Sequence, residues 1–318
     1  MTSLPAATID EPATIKSALA IKKRRGLSLS EVSAQTGIAQ STLSQVLGNK
    51  YSGDTQKFVV KLSDWVKSSE RQLEIRAKIG GKLDFVETSV SRQIMSIVEL
   101  CRTEADIAAV IGAPGLGKTE TAQHIAERNF RAIYMVATPS KGTPAAILRE
   151  LAHKAPFPIA KQTSQIRDQL VDFLKTEISL IIIDEAQHLS FQQLEEIRLL
   201  HDESQCGVVL MGNKNILSTL GESRAATYAQ LTSRVGVRFQ LPAKPDPADV
   251  GLLLDALGVD DRECREHLQE VAQGHGALRR MVKTLKMARM NMDPDRDDEL
   301  IDKLRWATRF RGTTAGRS

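Results

Sequence analysis

The feature that most constrains the fold of this 318-residue chain is the octapeptide Gly112-Ala113-Pro114-Gly115-Leu116-Gly117-Lys118-Thr119. It matches the pattern G-x-x-x-x-G-K-[ST], whose glycines let backbone N–H groups converge on phosphates at the start of a helix. An apolar run, Ile107–Ile111, precedes the octapeptide, and a helical stretch, 120–128, follows it. The sequence therefore predicts a strand, a phosphate-binding loop and a helix, and we expect the octapeptide and Glu120 to bind a nucleotide.

A second apolar run, Leu180-Ile181-Ile182-Ile183, ends in the two carboxylates of Asp184 and Glu185. In a parallel sheet these groups would lie beside the phosphate loop, where Asp184 and the Thr119 hydroxyl are expected to hold Mg²⁺. Glu185 is then expected to orient and deprotonate the attacking water, and Lys118 to reach the β- and γ-phosphates during catalysis. ATP and Mg²⁺ are the predicted cofactors.

Three further residues are candidates for contact with the γ-phosphate. Asn213 follows the apolar run 208–211 and is predicted to sense that phosphate, the alternative being an ordinary turn. Arg234 precedes the last apolar run and is a candidate arginine finger for a neighbouring subunit, the alternative being a solvated surface residue. Arg279, chosen over Arg280, is predicted to reach the γ-phosphate from the C-terminal helices, with a structural role for both as the alternative.

The order of apolar segments predicts an α/β fold with helical additions at both ends. Between 85 and 241, apolar runs near 107, 132, 179, 207 and 235 alternate with amphipathic stretches, which is typical of a parallel sheet flanked by helices. We expect a helix-turn-helix domain over 1–70, a polar linker over 71–84 and the core over 85–241. After a proline-rich break, 242–318 is expected to form a helical lid with a basic tail.

The segment 29–50 has the pattern of a helix-turn-helix that binds DNA. Ser30 is the expected cap of its first helix, and Gly37 permits the left-handed turn. Short polar groups on the second helix suit phosphates or base edges, with a lysine at its end. The predicted DNA-binding residues are Gln40, Ser41, Thr42, Ser44, Gln45 and Lys50. The neighbouring basic run 22–25 favours DNA over a protein-interaction module, and the lack of arginine on that helix predicts weak or nonspecific contact.

The formal net charge of +4 hides an uneven distribution. Residues 1–80 and 303–318 each carry +5, and the residues between them carry −6. Basic ends suggest contact with a polyanion, although solvated surfaces are an equal alternative. Since the core is acidic, any DNA contact there would depend on a few local basic residues.

The apolar runs and the cysteines indicate whether the chain could cross a membrane, form disulfides or bind a metal through cysteine. No apolar run approaches the ~20 residues that span a bilayer, and hydrophobic residues make up 42% of the chain. Cys101, Cys206 and Cys264 form neither a metal motif nor an even-numbered disulfide set. We therefore expect a cytoplasmic protein with no membrane partner.

In combination and order, the motifs resemble those of the MuB family, the AAA+ ATPases that activate target DNA in transposition of phage Mu. The resemblance covers most of the chain but not 1–12 or 312–318. It rests on Phe85-Val86-Glu87-Thr88, Lys118-Thr119-Glu120, Asp184-Glu185-Ala186, Leu210-Met211-Gly212-Asn213, Ser233-Arg234 and Gly276-Ala277-Leu278-Arg279.

The resemblance implies an AAA+ fold and an ATP-dependent, nonspecific binder of double-stranded DNA that assembles as a helical filament. It also implies recruitment and stimulation of a DDE transposase, whose contact triggers hydrolysis, together with target-site choice and transposition immunity. Lys141 lies where related ATPases place DNA-facing loops, the alternative being an ordinary surface lysine.

Two other functions stay open on the sequence. One is a helicase loader or a secretion-linked ATPase of the same class, although helicase loaders seldom begin with a helix-turn-helix. The other is a helix-turn-helix regulator that uses nucleotide only as a ligand. Glu185 argues against the regulator, because a protein that only senses nucleotide needs no catalytic base.

Overall fold

The structure, a computed structural model, describes residues 10–81, 83–129, 131–139, 142–175, 179–216, 235–292 and 299–313. The chain divides into two compact units, 1–81 and 82–318.

Within residues 10–81, the described part of the first unit, the chain forms four helices. They are α1 (Glu11–Arg24), α2 (Leu29–Thr36), α3 (Gln40–Leu47) and α4 (Gln56–Lys78). Gly37 ends α2 with a φ of 63°, a left-handed conformation that costs glycine little, and turns the chain into α3. The apolar core is shared by all four helices, and its most buried members include Ala18, Val32, Leu43, Val46 and Leu62.

The cap of α2 differs from the sequence prediction. Ser28, not Ser30, precedes the helix in an extended conformation, and its hydroxyl accepts a hydrogen bond from the N–H of Glu31 at 3.2 Å. The Glu31 carboxylate accepts the Ser28 N–H in return at 2.7 Å, which completes a capping box. The prediction of Ser30 is wrong because that residue already lies in the first turn of α2.

The segment predicted as a linker is partly helical. α4 continues through Lys78, so 71–78 belong to the helix, and the chain leaves it at Gly80, which has a φ of 88°. Polar composition misled here because most of this last part of α4 is exposed on the surface. Beyond it, Leu83 and Val86 pack against the apolar core of the C-terminal helices.

A five-stranded parallel sheet, formed by the described residues, is the centre of the second unit. Its spatial order is β2-β3-β4-β1-β5. The strands are β1 (Ile107–Ile111), β2 (Ala132–Val136), β3 (Leu180–Asp184), β4 (Gly207–Gly212) and β5 (Val235–Gln240). Every residue of β1, β3 and β4 is buried, as the continuous apolar runs predicted.

Helices cover both faces of this sheet, and four further helices at the C-terminal end of the chain form a lid. The helices that flank the sheet are α5 (Ser89–Glu104), α6 (Lys118–Arg128), α7 (Pro144–Lys154), α8 (Thr163–Leu174) and α9 (Phe191–Ser204). The lid helices are α10 (Pro247–Ala256), α11 (Arg262–Gln273), α12 (Ala277–Met290) and α13 (Leu300–Thr313). α5 and α6 share one apolar cluster with the sheet, and α7, α8 and α9 share another. The predicted fold class is therefore confirmed.

The lid has its own apolar core, and one buried carboxylate joins it to the sheet layer. Asp249 of α10 is 3% exposed. Its two oxygens accept hydrogen bonds from Ser89 N at 2.8 Å and Ser89 Oγ at 2.6 Å, at the start of α5. The lid is thus attached where α5 begins. Among the residues described, no helix has the length and apolar character needed to cross a membrane.

Candidate nucleotide site

The phosphate loop runs from the buried end of β1 to the first residue of α6. Gly112 N donates to Gly212 O at 3.0 Å, which fixes the start of the loop to the end of β4. Gly115 and Gly117 have φ angles of 91° and 93°, so glycine is the residue type that adopts this path without strain. The loop delivers the chain to the N-terminus of α6, where the first N–H groups have no partner within the helix and favour an anion.

Lys118 lies across this loop. Its ammonium group donates to Gly112 O at 2.8 Å and to Ala113 O at 3.0 Å. Burial lowers the pKa of Lys118, the carboxylates of Asp184 and Glu185 oppose that change, and the charge of Arg279 adds to it. Phosphate oxygens would replace the two loop carbonyls as acceptors and bring the negative charge that this cation favours.

Thr119 and Asp184 meet beside the loop, as their predicted metal role requires. The Thr119 hydroxyl donates to Asp184 Oδ2 at 2.6 Å, and Asp184 is 2% exposed. The other carboxylate oxygen of Asp184 accepts from Glu185 N at 2.8 Å. A hydroxyl and a carboxylate are hard oxygen ligands of the kind that Mg²⁺ prefers alongside phosphates and water, so the donor set fits this ion.

Glu185 and Asn213, at the ends of β3 and β4, are joined through a residue that the sequence did not single out. Gln187 Nε2 donates to Glu185 Oε2, and Gln187 Oε1 accepts from Asn213 N at 3.3 Å. The Asn213 side chain accepts from Asn215 N at 2.8 Å. The one available signal for Gln187 was its position two residues after the acidic pair, and this spacing alone specifies no contact.

The lid reaches the phosphate loop at the start of α12. A β-carbon on Gly115 would collide with Gly276 O and would lie 3.3 Å from the β-carbon of Arg279. Arg279 is exposed in the first turn of α12, and its positive charge contributes to the lowered pKa of Lys118. The structure thus brings Arg279 to the phosphate loop, together with Lys118, Thr119, Asp184 and Glu185. Glu120 lies exposed in the first turn of α6.

The remaining predicted residues belong to the first unit or fall outside the part of the chain that the structure describes. In the first unit, Thr42 is half-buried, and the exposed candidates are Gln40, Ser41, Ser44, Gln45 and Lys50. Arg234 and Lys141 lie outside the described residues.

The fold and this site define a P-loop ATPase of the AAA class, and comparison with protein families agrees. The AAA domain family matches residues 101–220. The family described as "Mu B transposition protein, C terminal" matches residues 233–308.

Full-length relatives extend the match over both units. The chain is 32% identical over 281 residues to the ATP-dependent target DNA activator B of Escherichia phage Mu, covering 88% of each chain. It is 28% identical over 258 residues to the Mu-like prophage FluMu DNA transposition protein B of Haemophilus influenzae, covering 80% of this chain and 88% of that one. The chain belongs to the MuB family, as its motifs predicted.

Solved structures support the fold alone. The ORC2 protein of Aeropyrum pernix, solved in ADPNP and ADP complexes, has a TM-score of 0.53 at 19% identity, covering 76% of this chain and 74% of that one. Drosophila ORC, solved bound to DNA, has a TM-score of 0.50 at 16% identity, covering 73% and 64%.

Proposed function

We propose that this protein is an ATP-dependent, largely nonspecific DNA-binding ATPase that oligomerises on target DNA and delivers it to a DDE transposase. The observation that carries the proposal is the arrangement of Lys118, Thr119, Asp184 and Glu185 around one phosphate loop. It is supported by the 32% identity to a relative named for ATP-dependent activation of target DNA.

ATP and Mg²⁺ are the proposed cofactors, and each site residue has a distinct role. Lys118 binds the β- and γ-phosphates, and Thr119 and Asp184 hold Mg²⁺, which neutralises charge on the phosphates when bound. Glu185 accepts the proton of the attacking water, and Asn213 and Arg279 contact the γ-phosphate. A regulator that only senses nucleotide would need Lys118 but not the carboxylate of Glu185.

DNA binding is assigned to residues 1–70, with 85–241 as the ATPase core and 242–318 as the lid. The exposed polar face of α3, followed by Lys50, and the exposed Lys23 and Arg24 at the end of α1 suit a phosphate backbone. Because α3 carries no arginine, we expect little discrimination between base sequences. Lys141 is a further candidate from the core, for use once subunits assemble.

Assembly supplies the proposed nucleotide switch. Arg234 of one subunit would reach the γ-phosphate bound to its neighbour, so ATP adds contacts between subunits that ADP lacks. Contact with the transposase, and with DNA, would then stimulate hydrolysis and release both partners.

Electron microscopy of the protein on random-sequence DNA tests the proposal. We expect filaments with ATP and none with ADP. Lys118→Ala should form none with either nucleotide, whereas Lys154→Ala, a change at an exposed lysine of α7, should behave like the wild type. Closed rings on DNA that load a helicase would favour the helicase-loader alternative. Equal DNA binding with ATP, with ADP and without nucleotide would contradict the switch.

The DNA-binding face has its own test with a matched control. Replacing Gln40, Ser44 and Lys50 together by alanine should weaken DNA binding and leave ATP binding unchanged. The control replaces Gln72, Ser68 and Lys67, which are the same residue types at exposed positions of α4. Equal losses in the two triple variants would exclude α3 as the DNA-binding surface.

A further inference from the structure

The amide of Gln187 lies between the two residues to which the proposed function assigns the base and the γ-phosphate sensor. Gln187 belongs to the short 3₁₀ turn Ala186–His188 that follows β3. Its amide nitrogen donates to Glu185 Oε2, and its amide oxygen accepts the backbone N–H of Asn213 at 3.3 Å. One side chain therefore connects the ends of two neighbouring strands, β3 and β4.

The end of β4 leaves space for this amide. A β-carbon on Gly212 would collide with Gln187 Oε1, so a side chain at 212 would displace the amide from its place. Gly212 is also the residue whose carbonyl accepts from Gly112 N at the start of the phosphate loop. The position of the Gln187 amide therefore depends on Gly212, the same residue of β4 that holds the start of the phosphate loop.

The chemistry of a carboxamide suits this position. A carboxylate base must present one oxygen to water while its other oxygen is held, and the Gln187 N–H holds Oε2. A hydrogen bond to the ionised carboxylate also favours that form, which is the form that accepts a proton. A carboxamide carries a donor and an acceptor on one planar group, so Gln187 satisfies both Glu185 and Asn213 N.

We propose that Gln187 is a positioning residue, which sets the orientation of Glu185 and couples it to the strand end that carries Asn213. This inference rests on the proposed ATPase function. It adds to that function a route by which contact of the γ-phosphate with Asn213 reaches the base. Displacement of β4 by the nucleotide moves the Asn213 N–H, and the Gln187 amide transmits that movement to Glu185.

Three variants separate this role from packing. Gln187→Leu removes both hydrogen bonds, Gln187→Glu keeps the shape but replaces the donor by an acceptor, and Gly212→Ala displaces the amide with Gln187 intact. Each should lower kcat for ATP about tenfold or more, because a small misplacement of a catalytic group is costly. For the two Gln187 variants, the Kd of a fluorescent ATP analogue should stay within about twofold of the wild type, because neither changes the groups that bind phosphate.

A double-mutant comparison shows whether Gln187 acts through Glu185. In the Glu185→Gln background the base is already lost, so adding Gln187→Leu should reduce the residual turnover no further. Each variant's melting temperature is measured beside its kinetics, and Gln187→Glu keeps the test valid if Gln187→Leu fails to fold.

Distinct results would overturn the inference. Gln187→Leu or Gln187→Glu with wild-type kcat would do so, as would an equal fold-loss in the Glu185→Gln background. Loss of ATP affinity that matches the loss of kcat would indicate a merely structural role. A wild-type protein that binds ATP but never hydrolyses it would refute the proposed function itself, and the positioning role with it.

Discussion

Thr119 and Asp184, which are 65 positions apart in the chain, share a hydrogen bond of 2.6 Å between a hydroxyl and a carboxylate oxygen. The bond joins the first turn of α6 to the last residue of β3, so the phosphate loop and the acidic strand end form one site. The proposed function makes both residues ligands of one Mg²⁺ ion, so the dependence of nucleotide binding on this metal is directly testable.

Asp184→Asn should separate the binding of Mg²⁺ from the binding of ATP. The amide keeps the shape of the side chain but removes the charge that holds the cation. We expect ATP affinity to become insensitive to Mg²⁺, whereas the affinity measured in EDTA should equal that of the wild type. Titration of a fluorescent ATP analogue with and without Mg²⁺ measures both values. Retention of the full Mg²⁺ effect would exclude Asp184 as a ligand.

Gly115→Ala should disturb both the phosphate loop and the lid. The left-handed backbone costs an alanine about 1–2 kcal/mol, and its β-carbon would also collide with Gly276 O at the start of α12. Gly258→Ala is the matched control, because Gly258 has a φ of 61° and open space around its missing β-carbon. We expect the larger loss of unfolding free energy for Gly115→Ala, and loss of ATP affinity for that variant alone. Equal losses of stability in chemical denaturation would argue against the contact between loop and lid.

Asp249→Ala should weaken the attachment of the lid. The change leaves the N–H and hydroxyl of Ser89 without their buried carboxylate acceptor, which predicts a loss of about 2–3 kcal/mol in the free energy of unfolding. As a control, Asp255→Ala removes the ion pair with Arg265 on the exposed side of the lid and should cost less than about 1 kcal/mol. Urea denaturation compares the two variants, and equal costs would contradict a special role for Asp249.

The strands were predictable because their signal is local, whereas several contacts were not. In β1 and β4 each residue is apolar or small and buried, and in β3 the same holds for 180–183, so a run of four to six such residues suffices to mark the strand. The position of Gln187 depends instead on how closely β3 and β4 approach and on Gly212 being a glycine. The bond from Asp249 to Ser89 spans 160 positions, and no local pattern at either end specifies the other.

The sequence prediction also placed the cap of α2 at the wrong serine. Ser28 and Ser30 are both good helix caps, and the choice depends on the reciprocal bond from Glu31, which lies three residues after Ser28. The predicted linker failed for a different reason. An exposed helix and a linker have similar polar composition, and only the glycine at 80 shows where α4 stops.

The three cysteines should react slowly in the folded protein. Burial raises the pKa of the Cys101 thiol to about 12, that of Cys206 to about 11 and that of Cys264 to about 12. Since the thiolate is the reactive form, a raised pKa leaves very little of it at pH 8, and burial also excludes the reagent. We expect no fast reaction with Ellman's reagent at that pH in the native state and three reactive thiols in denaturant.

The raised pKa values also predict how alkali affects the folded protein. Above pH 9 the thiols of the unfolded chain lose their protons more readily than those of the folded chain, so the free energy of unfolding should fall as the pH rises from 9 towards 11. A Cys→Ser variant serves as the control that measures the contribution of the other titrating groups. A native thiol that reacts fast at pH 8 would contradict the raised pKa values, and so would a cysteine contribution to the free energy of unfolding that increases from pH 9 to 11.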